Sequence, residues 1–170
     1  MNNNFEYDYK IITIDSDCAF FLTSNICDFY INLDEPLRNV IKLNVITLLI
    51  NIPNSSVLKV PLNSIYINLN NYNRLIGKNN TLNDGKRSDI NVFDSIIIEN
   101  VPTETIGNTT IRSDFVHSDS VYSLNPIEPQ LLRFNIKLFN KDNILINKSD
   151  INRFVMKLGV YYNNKKTTRI

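Results

Sequence analysis

His117 is the only histidine in the chain, and it stands in Asp114-Phe115-Val116-His117-Ser118-Asp119, where one imidazole and two carboxylates are close in sequence. Groups of this kind hold a divalent cation or move protons when they converge. Their spacing here matches no metal-ligand pattern with a mechanical basis, so the segment reads as a solvated polar loop. Cys18 and Cys27 flank the apolar run Ala19-Phe20-Phe21-Leu22 and are distant in sequence from that histidine. The chain has no Gly-x-Ser-x-Gly elbow, no Gly-rich phosphate loop, no Cys-x-x-Cys and no His-Glu-x-x-His. The expectation is therefore a protein that is not an enzyme, without catalytic residues, cofactor or bound metal. A single cysteine pair in a chain able to build its own core also reads as two free thiols. Lys165, Lys166 and Arg169 follow Tyr161 and Tyr162, and aromatics beside cations can stack bases and neutralise phosphates. Three terminal charges read instead as a solubilising end or as a contact with an acidic neighbour in an assembly. No specific nucleic acid and no small molecule are expected.

The composition supports a folded chain with no obvious charge-selected partner. A formal charge of +1 attracts neither nucleic acid nor an anionic membrane as a whole. Asn (28 residues) and Ile (24 residues) dominate, tryptophan is absent, and glycine occurs only four times. Because Ile, Val and Phe keep alternating with the Asn, the segments are not low-complexity disorder. The bland reading of the bias is A/T-rich codon usage, the alternative an amide-ladder design. The four Asn-x-Ser/Thr triplets, at Asn54, Asn79, Asn108 and Asn147, read as chance in such a chain. The N-terminus, Met-Asn-Asn-Asn with early acidic residues, lacks a basic region followed by a long apolar core, so no signal peptide is expected.

The elements that must carry any site are strands. A strand is expected over Tyr9–Ile14 inside an N-terminal arm, 1–27, ordered mainly by neighbouring molecules. Phe29, Ile31 and Leu33 alternate with polar residues, and Glu35-Pro36 is expected to end that strand. From Val40 to Ile52 the period slips: Ile41, Leu43 and Val45 share one face, whereas Leu48, Ile50 and Ile52 lie on the other. That slip predicts a bulge, or passage of the strand into a different environment. Asn63–Leu69 and Val92–Val101 read as further strands, 70–89 as a long loop, and 102–125 as an exposed excursion. Leu132, Phe134, Ile136 and Leu138, a polar Asn140–Asn143 turn, and the stretch to Val160 predict a closing hairpin. Many short strands with almost no helix give an all-β sandwich.

Phe29-Tyr30-Ile31-Asn32-Leu33-Asp34-Glu35-Pro36-Leu37-Arg38-Asn39-Val40, then Ile52-Pro53-Asn54-Ser55 and Asn63-Ser64-Ile65-Tyr66-Ile67, resembles the opening strands of the single jelly-roll capsid proteins of large DNA viruses and virophages, the penton and minor capsid proteins. Leu124-Asn125-Pro126-Ile127-Glu128-Pro129-Gln130-Leu131 through Leu138 is similar to the lead-in and final hairpin of that group, with Asp142-Asn143 where the family often has glycine. The resemblance implies an all-β, single jelly-roll β-sandwich of about eight antiparallel strands over 28–162, between the arm and a basic tail at 163–170. It further implies a structural virion protein, foremost a penton closing five-fold vertices, otherwise a minor capsid protein bridging capsomers. Its partners would be itself, as a homopentamer, and other capsid proteins, in a virion assembled in the host cytoplasm. Interface residues are then expected on the flanks: Phe5, Tyr7, Tyr9, Asn73, Arg74, Arg112, His117, Lys165, Lys166 and Arg169. A β-sandwich module for a carbohydrate or receptor is the reading from another class, with Tyr66, Tyr72, Tyr122, Tyr161 and Tyr162 as its candidate aromatics.

Overall fold

The computed structural model describes residues 7–21, 27–56, 58, 63–72, 75–77, 90–98, 109–114 and 121–163. Among these the chain is all-β, with strands β1 (Asp8–Asp15), β2 (Phe20–Phe21), β3 (Asp28–Ile52), β4 (Asn63–Leu69), β5 (Leu75–Gly77), β6 (Ile90–Val92), β7 (Asp94–Ile98), β8 (Thr109–Asp114), β9 (Val121–Phe139) and β10 (Arg153–Tyr162). Short 3-10 turns span Ser16–Cys18 and Lys148–Asp150. No helix among the described residues is long and apolar enough to cross a membrane.

Eight strands form one antiparallel sheet whose main path runs β1-β10-β3-β9-β4-β7, with β2 and β8 also paired to β3; β5 and β6 make a separate ribbon. The sheet curls into a half-barrel, an arrangement consistent with a β-sandwich. The two long strands make this possible. The start of β3 lies beside β2 and the end of β9, while its later half, from Lys42, lies beside β10 and then β8. Phe29, in the first half of β3, therefore meets Phe154 of β10, which pairs with the second half, edge-to-face with centroids 6.0 Å apart. Both rings are fully buried in a single cluster with Leu43, Leu48, Ile50, Ile67 and Phe134.

The pairing of β3 with β9 contains two compensating irregularities. Between Asn32 and Leu37, four residues of β3 oppose one of β9; between Val40 and Lys42, one residue of β3 opposes four of β9. The register at Asn44↔Val121 is consequently that of Asp28↔Lys137. Prolines sit in both corners, Pro36 in the first and Pro126, after a cis peptide, in the second. A proline costs no ladder hydrogen bond where the ladder is already interrupted. Pro36 thus does not end the strand, contrary to the expectation from its sequence. The two segments that carry the family resemblance, Phe29–Val40 and Leu124–Leu138, turn out to be hydrogen-bonded neighbours.

The slip near Ile46 is a bulge. Lys157 pairs with Thr47 but Leu158 with Val45, leaving Ile46 as the extra residue. Because side chains alternate along a strand, one inserted residue keeps Leu43 and Val45 and then Leu48, Ile50 and Ile52 all on the buried side.

Three expectations need correction. Asp8–Asp15 is no arm awaiting neighbours: β1 pairs along its whole length with β10 and buries Ile14 completely. The closing hairpin is absent, because β3 stands between β9 and β10; after the turn only Phe139↔Leu145 bridges back. The 70–89 loop contains β5, and the 102–125 excursion contains β8 and the start of β9. The turn itself uses Asn140, whose Oδ1 accepts the Asp142 and Ile144 amides, and Asn143 at φ 60°. Among the described residues, the non-glycine residues at positive φ are all asparagines, at 39, 70, 71 and 143. Asparagine tolerates the left-handed region better than other side chains, so it fills the role glycine would take in a chain with four glycines.

Candidate functional site: the β1–β2 margin and its groove

Alternation along β1 turns Ile12 and Ile14 inward and leaves Tyr7, Tyr9 and Ile11 outward. Ile11 is 56% exposed and Tyr9 47%. The cross-strand register builds an outer surface from two adjacent rows, Tyr9–Tyr161–Lys42–Ser123 and Ile11–Gly159–Asn44–Val121. Gly159 explains how the tyrosine lies down on the sheet. A Cβ there would come within 2.6–2.8 Å of Tyr9 ring carbons, so the missing side chain is the space the ring occupies. Tyr9 and Tyr161 meet at 4.8 Å between centroids. Burial, with Tyr161 second, raises the Tyr9 phenol above its ordinary pKa.

Beside this surface, an open groove of about 570 Å³ runs between Lys10–Thr13 of β1, Cys18 and Phe20, and Ile31–Glu35 with Leu37 of the first β3 corner. Consecutive residues line both walls, which in a strand means that the backbone edge, rather than one face, borders the groove. Among the described residues β1 pairs only with β10, so its other edge faces this space. Phe20 is 56% exposed and stacks on Tyr30 at 5.4 Å, with the Arg133 guanidinium 5.3 Å from the Tyr30 ring centre. The groove carries one cation, Lys10, against the carboxylates of Asp34 and Glu35.

A polar clasp holds the margin's far end in place. Arg153 grips Asp15 through two donors of one guanidinium edge, Nη2–Oδ2 at 2.5 Å and Nε–Oδ1 at 3.1 Å, and its Nε also lies 3.0 Å from Asp17. That hydrogen bonding holds the Asp15 carboxyl below the usual carboxylate range. Beneath it the Phe154 amide donates to the Ser16 hydroxyl at 3.0 Å. The β1 end is thereby fixed to β10.

Of the interface residues expected from sequence, Tyr7 and Tyr9 lie on this margin. Arg112 is exposed on β8, opposite Leu49, on the outer face at some remove from it. Phe5, Asn73, Arg74, His117, Lys165, Lys166 and Arg169 fall outside the described residues, so the His117 loop is not placed. The tyrosines considered for recognition are engaged in the body: Tyr72 and Tyr122 are half-buried and 6.0 Å apart, Phe93 closes on Tyr122 at 5.6 Å, and the Tyr72 hydroxyl donates to Glu128 at 3.2 Å. Burial pushes the Tyr72 phenol up to about 12. Both cysteines are free thiols, Cys18 exposed and Cys27 buried, with burial pushing the latter to about 12. Ile11, Phe20 and the Ile31–Glu35 wall escaped the sequence reading. Their signal was the doublets Ile11-Ile12 and Phe20-Phe21, where two successive apolar residues in a strand must face opposite ways.

No family model and no curated protein matches this chain.

Proposed function

We propose that this chain is a structural protein of an icosahedral virion, a single jelly-roll penton that closes five-fold vertices as a homopentamer. A minor capsid protein bridging capsomers is the variant of the same reading. The observation that carries it is the margin: Tyr9 and Ile11 lie exposed on one face of β1, and the exposed Phe20 borders the same groove as Ile11. Apolar side chains gathered at one place on a surface mark an interaction site. A margin on one side of the subunit suits a ring, whose heterologous contacts join one patch to a different patch on the next copy. Permanent contacts of this kind bury about 2,000 Å² or more, and the β1–β2 margin with its groove would supply part of one patch. The pairing of the two family-like segments across the β3–β9 corners supports the jelly-roll part of the reading. The particle would assemble in the host cytoplasm, with the protein's partners being itself and other capsid proteins.

Sedimentation velocity on the full chain and on Phe20→Lys tests this. A concentration-dependent oligomer that the charge disperses is expected; a species whose size ignores the substitution would place the contact elsewhere. The recognition-module reading draws on the exposed Tyr9 and its half-buried partner Tyr161, and binding to defined glycans on an array would favour it over the penton.

A further inference from the structure

We infer that the β1 groove is the socket for residues 164–170 of a neighbouring copy, which enter as an added strand along the open edge of β1. This deepens the penton reading and rests on it for the ring, though not for the binding itself. Three observations converge. The first is the shape: two walls of consecutive strand residues, Lys10–Thr13 and Ile31–Glu35, border an open groove, and an unpaired strand edge is a template for an extended segment. The second is charge: Asp34 and Glu35 outnumber Lys10 in the groove, while Asn164-Lys165-Lys166-Thr167-Thr168-Arg169-Ile170 carries three cations and no acid. The same segment has β-branched Thr167, Thr168 and Ile170 and neither glycine nor proline, a composition suited to a strand.

The third observation is direction. In the β1–β10 register Val160 lies opposite Lys10 and Tyr162 opposite Asp8, so β10 has already passed the groove when it reaches Asn163 and is moving away from it. The Asn163 amide donates to the Arg38 carbonyl and its carbonyl accepts from Asn39, fixing that exit beside the corner. Entering the same molecule's groove would require an immediate reversal at Asn163-Asn164. Reaching outward is simpler, since seven extended residues span roughly 23 Å. One copy would therefore give its terminal segment and receive another's, the head-to-tail arrangement that closes a ring.

Charge exchange in the full chain tests the inference. Lys165→Glu with Lys166→Glu, and separately Asp34→Lys with Glu35→Lys, should each weaken self-association about tenfold or more in Kd at low salt. Combining all four substitutions in one chain should restore it, because each reversed segment then meets a reversed groove. In parallel, a fluorescent peptide of residues 163–170 should bind the full chain saturably and lose about tenfold affinity for the groove-reversed variant. Failure of the combined variant to recover, with peptide binding absent or indifferent to the reversal, would overturn the inference. Preferential capture of a peptide of residues 1–8 would overturn it in favour of another occupant. Wild-type oligomers unmoved by either reversal would leave the ring and remove the socket. A wild-type monomer whose groove binds the peptide would leave the socket and remove the ring.

Discussion

The Phe29–Phe154 seam and the Ile11–Phe20 margin use the same kinds of side chain to opposite ends. At the seam, two rings from different halves of the sheet meet and neither is exposed to solvent. At the margin, Ile11 and Phe20 border a common groove and each keeps more than half its surface in water. Curling the sheet satisfies the first pair and leaves the second without cover inside the subunit. What separates core from exposed margin in this chain is thus the position of the sheet's edge, and hydrophobicity alone does not distinguish them.

The difference can be tested by substitutions on each side. The largest effect should come from deleting Ile46. Without the extra residue, Leu48, Ile50 and Ile52 rotate to the outer face, and the chain should lose cooperative unfolding in urea. A retained sharp transition would mean that β3 re-registers locally. Phe154→Ala should cost about 3–5 kcal/mol by urea denaturation, while Ile11→Ser in the isolated subunit should stay within about 0.5 kcal/mol. Equal losses at both sites would erase the distinction between seam and margin. Gly159→Ala should cost on the order of 1 kcal/mol, because it must displace the mobile end of the Tyr9 ring, and Tyr9→Ala in the same chain should remove most of that penalty. The smallest effect is electrostatic. Asp15 has a lowered folded-state pKa, so the clasp's contribution is complete above the unfolded carboxylate's value near about 4 and is lost as pH falls through the folded value. At neutral pH Asp15→Asn should lower Tm by only about 1–3 °C, its carboxylate being partly solvated, and the difference from wild type should vanish in acid.

What the sequence disclosed follows from how locally each feature is encoded. The phase slip around Ile46 is written in consecutive residues, and the structure places a bulge there. The all-β class is likewise local, a matter of alternation. The β1–β10 and β3–β10 pairings are not, since they join residues more than a hundred positions apart, and a strand at the start of the chain accordingly reads as an arm. Pro36 misled in the same way: whether a proline stops a strand or sits in a corner depends on the partner strand, here Leu131–Arg133 of β9. The groove was least accessible of all. Lys10–Thr13 and Ile31–Glu35 carry no motif and become a site only when folding sets their edges on opposite walls. The asparagines belong between these extremes. Base composition can supply them in number, but Asn39, Asn70, Asn71 and Asn143 hold backbone conformations in which most side chains are costly.

The most direct test of the central claim is native mass spectrometry of the full-length protein across concentration at low and moderate salt. The proposed penton predicts a discrete assembly of five subunits, and a charged socket predicts that it dissociates as salt rises. A chain that remains a monomer at every concentration and salt would contradict assembly through this edge.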